Sequence, residues 1–251
     1  MKAIFKDNQL LKNTLELFKD AVQSANFKCR HDGIYMQAMD SSHISMASFV
    51  FKTDIFKEYQ CQNHVDLGID LESLFKVLKV VTKDDLLGFE ILKDNLLSVQ
   101  IKNPNTGKEW CFDLKLMEID SEELTIPPLP DGWRVVVDSD EFLNNVKTMG
   151  EFGDDVEIGC TDGKMYFRVC GEMANAMVSN NTNCTWQGDE SNKENVILKF
   201  TSRLIKQYGS GKKITKEIYF TLAPDHPIMI RYNITDNSTI DMFVAPKLGD
   251  D

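Results

Sequence analysis

Leu11, Leu15, Phe18 and Val22 recur at helical spacing and predict a helix over residues 9–22. A strand-like piece follows, then the turn Asp32-Gly33, then Ile34-Tyr35-Met36-Gln37-Ala38-Met39 as a second strand. Residues 71–81 predict another short helix. Residues 88–92 and 96–102 predict a hairpin around Lys93-Asp94-Asn95. About 130 residues further on the same order returns. A helix over residues 140–149 aligns Phe142, Val146 and Met149 on one face, and the turn Asp162-Gly163 precedes a strand over 164–169. A fourth helix covers residues 201–208, followed by strands over 217–222 and 228–234.

Both halves therefore read as many short strands with two helices each, an α+β chain dominated by antiparallel pairing. Between them, Pro127, Pro128 and Pro130 place three of the seven prolines within four residues. Such a stretch suits neither a helix nor a central strand, and it reads as an extended linker. The linker also carries Leu124, Ile126 and Leu129, apolar side chains expected to serve a contact on the outside. The expected division is a first domain over 1–117, a connecting loop over 118–134 and a second domain over 135–251. Residues 180–195 are polar and are expected to form a mobile loop.

The 251 residues are 42% hydrophobic and 27% charged, values of ordinary globular chains that exclude wholesale disorder. The opening Met1-Lys2-Ala3-Ile4-Phe5-Lys6-Asp7 puts charge where a secretory signal needs an apolar stretch. No window reaches the roughly 20 apolar residues of a spanning helix. Cys29, Cys61, Cys111, Cys160, Cys170 and Cys184 form no C-x-x-C pair and read as small apolar fillers in a reducing compartment. An intracellular protein without a membrane partner is expected.

The formal net charge of −11 argues against a protein that coats nucleic acid with its whole surface, yet a local basic stripe remains open. All four predicted helices carry cations: Lys12 and Lys19, Lys76 and Lys79, Lys147, and Arg203 with Lys206. At about 100° per residue, Lys12 and Lys19 lie within about 20° of each other beside the Leu11/Leu15/Phe18 face. Two readings stand. Lysines on polar helix faces are ordinarily solvated charge; alternatively, helices gathered on one side would give an acidic protein a wall suited to phosphates, without reading base sequence.

Candidate chemistry is sparse. Cys29-x-His31 is the nearest approach to a metal pair, and no second pair follows at ligand spacing. Ser42 and His43 are adjacent, so in an extended chain they point apart and cannot act as nucleophile and base. Gly209-Ser210-Gly211-Lys212-Lys213 lacks the leading glycine and closing Ser/Thr of a phosphate loop and follows a helix instead of a strand. No catalytic constellation, metal set or cofactor site emerges, and the chain is not expected to be an enzyme.

Specific strings add to this reading. Gln37-Ala38-Met39-Asp40-Ser41-Ser42-His43-Ile44, Leu116-Met117-Glu118-Ile119-Asp120, Gly171-Glu172-Met173 and Val244-Ala245-Pro246-Lys247 closely resemble the eukaryotic-type DNA sliding clamps, the proliferating cell nuclear antigen family. The similarity runs over essentially the whole chain. It implies a clamp fold of two similar domains, each with two helices on antiparallel sheets. Three chains would join head to tail into a ring around duplex DNA, acting as a polymerase processivity factor in the nucleus or at a viral replication site. Lys12, Lys19, Lys76, Lys79, Lys108, Lys147, Arg203 and Lys206 would then face the phosphates.

The resemblance also implies partners: DNA polymerase, a clamp loader and other proteins carrying a glutamine–aliphatic–aromatic peptide. Their pocket would comprise Met39, His43, Ile44, Leu124, Ile126, Pro127, Pro227, Phe243, Val244, Ala245 and Pro246. At the subunit contact, an edge strand near 109–114 would pair with one near 173–178 of the next chain, with Val77, Val80 and Phe112 against Val146, Met149 and Phe152, and with Met173 and Met177 on the second edge. Asn144, Glu151 and Thr161 depart from the family's usual basic residue, histidine and modified lysine. Alternatives are a subunit of a heteromeric, checkpoint-type clamp, or a scaffold that keeps the pocket without the ring.

Overall fold

The computed structural model describes residues 1–92, 95–120, 129–180 and 183–247. It divides into two units, one of Met1–Leu124 with Asn233–Ile240 and one of Thr125–Tyr232 with Asp241–Asp251. Elements follow in the same order in both. The first unit runs β1 (Lys2–Phe5), α1 (Leu10–Phe18), β2 (Ser24–Arg30), β3 (Gly33–Met39), β4 (Ser45–Lys52), β5 (Phe56–Gln60), β6 (Val65–Asp70), α2 (Leu71–Leu78), β7 (Leu86–Leu92), β8 (Leu96–Lys102) and β9 (Glu109–Lys115). The second runs β10 (Gly132–Asp138), α3 (Ser139–Met149), β11 (Asp155–Thr161), β12 (Lys164–Cys170), β13 (Asn175–Asn180), β14 (Asn183–Gln187), β15 (Val196–Thr201), α4 (Ser202–Tyr208), β16 (Glu217–Leu222) and β17 (Ile228–Asn233). β18 (Thr239–Val244) begins in the first unit and ends in the second.

Pairing repeats as faithfully as order. β1 lies antiparallel between β5 and β7, as β10 lies between β14 and β16. β2 lies between β3 and β6, as β11 lies between β12 and β15. In each unit the two helices pack on each other and bury one apolar stripe. α1 buries Leu11, Leu15 and Phe18; α2 buries Leu74 and Leu78; α3 buries Phe142, Val146 and Met149; α4 buries Ile205 and Tyr208. Val22 is buried beyond the end of α1, so the periodicity continued where the helix had stopped at Phe18.

Local chemistry fixes the boundaries. Asp70 caps α2 by accepting from Ser73 N at 2.7 Å, and Asp138 caps α3 by accepting from Asp140 N and Glu141 N at 2.9 and 3.0 Å. Gly68 lets the chain leaving the first unit press onto β6. A Cβ there would collide with the Met117 carbonyl, which lies beside the Gly68↔Met117 bridge. Asn26 Nδ2 donates to the Ile119 carbonyl at 2.9 Å, so residues 117–119 are tied to the first unit and β10 begins at Gly132. The turn 233–240 also belongs to the first unit: Thr235 and Ser238 donate to the Asp54 carboxylate at 2.6 and 2.9 Å.

Two expectations are corrected. Residues 183–187, expected to be mobile loop, form β14 on the edge of β10, with Trp186 opposite Trp133 and the rings 5.6 Å apart. The segment's polar composition concealed alternating Cys184 and Trp186, which fall on the inward face of the pleat. The cysteines are all free; Cys29, Cys61 and Cys160 are buried, but Cys111 and Cys170 are exposed and are not core fillers. Burial pushes the Cys29 thiol up to about 12 and leaves it inert.

Candidate nucleic-acid interface and subunit edges

Basic residues collect on the solvent side of the helix pairs. In the first unit, Lys19 follows the end of α1 and Lys79 that of α2. Their Nζ atoms lie 5.1 and 5.3 Å from the centre of the same Phe75 ring. One aromatic ring thus contacts two cations from different helices. Lys12 is half-buried on α1, while Lys76 is exposed and pairs with Glu72 at 2.6 Å one turn away. In the second unit Lys147, Arg203 and Lys206 are all exposed, and Lys147 and Lys206 fall in last turns, where the helix dipole favours cations. Among the described residues, Lys12, Lys19, Lys79, Lys147, Arg203 and Lys206 enter no ion pair with a carboxylate. Lys108 lies in the β8–β9 loop with its Nζ 4.5 Å from the centre of the Trp110 ring.

Open sheet edges are the second feature. β9 pairs only with β8, and β13 only with β12, among the described residues. Both present apolar side chains to solvent: Trp110 on β9, and Met177 on β13 at 66% exposure with Met173 just before it at 97%. Val80 and Phe152 are exposed nearby, and Phe112 is half-buried against Trp110 at 5.8 Å. Val77, Val146 and Met149 are buried in their own units. They pack behind the edges, because α2 lies against β9 and α3 against β13. Trp110 was missed in the sequence; an indole on a strand whose neighbours Glu109 and Asp113 are charged was the available signal.

The residues expected to receive a partner peptide are placed on both units. Met39 ends β3, and the turn after it presents His43, at φ 57°, and Ile44 to solvent. Asp40 builds that turn. Its Oδ1 accepts from Ser45 N at 2.5 Å and its Oδ2 from the Ser42 amide and hydroxyl. Burial would raise the carboxyl's pKa, but the hydrogen bonds from Ser42 and Ser45 outweigh it and hold it below the usual range. The serine hydroxyl therefore serves Asp40, and the tight turn, not an extended chain, separates it from His43. Pro227 is exposed, Phe243, Ala245 and Pro246 are half-buried, and the Val244 side chain is buried in its own unit. Leu124, Ile126 and Pro127 lie outside the described residues.

The remaining candidates are not gathered into a site among the described residues. Cys29 is buried and His31 exposed, stacked on His64 at 6.2 Å; no cluster of three or more metal-ligating side chains occurs among the described residues. Gly209 and Gly211 answer to packing, since a Cβ on either would strike Phe142 or Tyr232. No described helix is long and apolar enough to cross a membrane.

Two copies of one helix-and-sheet unit in a single chain, each with cationic helices and an open edge, define the DNA-clamp fold. The comparisons agree. The model of the proliferating cell nuclear antigen N-terminal domain matches residues 1–124, and that of its C-terminal domain matches residues 132–247. A proliferating cell nuclear antigen from Chaetomium thermophilum is 28% identical over all of this chain and 99% of its own length. The crystal structure of that protein from Entamoeba histolytica superimposes with a TM-score of 0.88 at 27% identity, covering 98% of each chain. The chain belongs to the proliferating cell nuclear antigen family, the sliding-clamp processivity factors of DNA replication.

Proposed function

We propose that three copies of this chain close head to tail into a ring that encircles duplex DNA and tethers replication proteins to it. The observation that carries this reading is a pair of open edges that present large apolar side chains to solvent, β9 with Trp110 and β13 with Met177. A contact between two different patches closes into a ring when its angle suits, and it covers these two edges at once. The exposed Met173, Met177, Phe152, Val80 and Trp110 supply apolar area to such a seam.

Within the ring, Lys12, Lys19, Lys76, Lys79, Lys108, Lys147, Arg203 and Lys206 face the phosphates. Contacts of that kind position without reading sequence, which suits a body that must slide. Met39, His43, Ile44, Leu124, Ile126, Pro127, Pro227, Phe243, Ala245, Pro246 and the Val244 backbone receive the glutamine–aliphatic–aromatic peptide of a polymerase, a clamp loader or another client. The site of action is the nucleus or a viral replication site, and the ring acts as a scaffold without catalysis of its own. Light scattering tests the assembly directly: three chains of 28.6 kDa give about 86 kDa. A persistent 28.6 kDa species at micromolar concentration overturns the homotrimer.

A further inference from the structure

The chain that leaves β18 is fastened at two points within the second unit. Val244, the last residue of the strand, buries its side chain. Beyond it the Lys247 amide donates to the Lys199 carbonyl of β15 at 2.7 Å. Between these anchors Ala245 and Pro246 stay half-buried, with part of each still open to solvent. Pro246 has no N–H to give, which leaves Lys247 to fasten the far end of this strap.

One carboxylate grips both partners of that backbone bond. Asp155, the first residue of β11, holds Lys247 Nζ at 2.5 Å from its Oδ1 and Lys199 Nζ at 3.5 Å from its Oδ2. The strand register explains the choice. Lys199 stands directly opposite Glu157, but Glu157 is taken by Arg168 at 2.5 Å, and Asp155 lies two residues along on the same face. An exposed ion pair contributes little, because water serves either ion as well as its partner does. Asp155 differs: Oδ1 is shut off from solvent, and the Lys247 ammonium is the contact that answers it. Without that ammonium a buried carboxylate oxygen is left unpaired, which makes release of the strap costly.

We propose that Asp155 is a positioning residue for client binding: by holding Lys247 it pre-forms the strap on which Ala245 and Pro246 meet the glutamine–aliphatic–aromatic peptide. The inference rests on the peptide pocket proposed above. Asp155 acts through Lys247, not by contact with the peptide. A strap already fixed spares the peptide the cost of ordering it, so the ion pair raises affinity without adding a contact to the complex.

The test titrates the full-length chain against a fluorescein-labelled peptide of the glutamine–aliphatic–aromatic pattern. Asp155→Asn and Lys247→Met are each expected to weaken it roughly threefold to tenfold. Lys247→Arg, which keeps the charge, should restore most of the affinity lost in Lys247→Met. The double variant should bind no more weakly than Lys247→Met alone, since the two residues act as one device. Hydrogen exchange separates release of the strap from general loosening: in Asp155→Asn the Lys247 amide should exchange several-fold faster, while amides in the β11–β12 ladder keep their rates. Phe243→Ala reports on the pocket itself. If it leaves affinity unchanged, the pocket reading falls and the positioning role with it. If Phe243→Ala weakens the peptide while Asp155→Asn and Lys247→Met do not, the pocket stands and the positioning role is overturned. Equal losses in Lys247→Arg and Lys247→Met, or an unchanged Lys247 amide in Asp155→Asn, overturn it too.

Discussion

Met177→Glu is expected to take the ring apart while leaving each chain folded. Met177 is 66% exposed on the open edge of β13. Fully burying a methionine side chain contributes about 1.5–3 kcal/mol, so covering that exposed part is worth about 1–2 kcal/mol at each seam. A carboxylate in the closed seam adds a desolvation cost of about 2–3 kcal/mol. Each seam therefore loses roughly 3–5 kcal/mol, and releasing one chain from a closed ring opens two seams. The dissociation equilibrium shifts by roughly four to seven powers of ten. Within the chain the new side chain is tolerated, because position 177 is largely exposed on an edge strand and lies opposite Arg168, whose guanidinium already pairs with Glu157. Light scattering at micromolar concentration should move from about 86 kDa to 28.6 kDa, with cooperative unfolding retained by circular dichroism. Met177→Leu should keep the ring. A Met177→Glu variant that remains a trimer would refute the assignment of β13 to the seam.

Three further outcomes are expected. Lys19→Glu with Lys79→Glu reverses the two cations that share Phe75 and should impair loading onto nicked circular DNA while the mass stays at about 86 kDa; unchanged loading would move the DNA-facing surface elsewhere. Phe243→Ala and Ile126→Ala should each weaken a glutamine–aliphatic–aromatic peptide roughly tenfold in a fluorescence titration, with equal affinity in both placing the pocket elsewhere. Hydrogen bonds from Lys52 and Tyr35 hold the Asp32 carboxyl down at about 2, so the stability it adds is complete above the ordinary carboxyl value near about 3.9 and is lost as pH falls towards about 2. Asp32→Asn should therefore melt slightly lower than the parent at neutral pH, with the difference shrinking between about pH 4 and pH 2. The gap is small because the Lys52–Asp32 side chains are 31% and 39% exposed, and a constant gap would sink the assignment.

The helices were legible because each buries a continuous stripe: Leu11/Leu15/Phe18 and Phe142/Val146/Met149 are periodic by the same necessity that makes them core. Their ends were less so. Val22 kept the periodicity going past Phe18, since a residue after a helix can be buried as well as one within it. β14 was illegible because a short edge strand needs only two inward side chains, and Cys184 and Trp186 stand among asparagines and threonines. Val146 and Met149 pose a related difficulty, being apolar on a helix face and buried in their own unit. Sequence pattern separates apolar from polar, but it does not say whether an apolar side chain meets its own sheet or a neighbour's. Lys19 and Lys79 were each visible as helix cations; their convergence on Phe75 depends on how α1 packs on α2, which no spacing within either helix encodes.

Charge and edge play different parts in holding such a clamp on DNA. The helix cations are exposed or half-buried, and at physiological salt each acts over a Debye length of about 8 Å. The proposed ring of three chains would carry a formal −33 against them, from −11 per chain, so that its exterior would repel the polyanion that its lumen would admit. Attraction then serves entry and centring, while residence depends on whether a seam opens. Weakening the Met177 seam should accordingly shorten the lifetime on closed circular DNA far more than reversing Lys19 and Lys79. On linear DNA, where a ring can slide off an end, the lysine reversal should matter comparatively more. If both variants shortened residence equally on circles and on linear fragments, affinity rather than enclosure would be holding the protein in place.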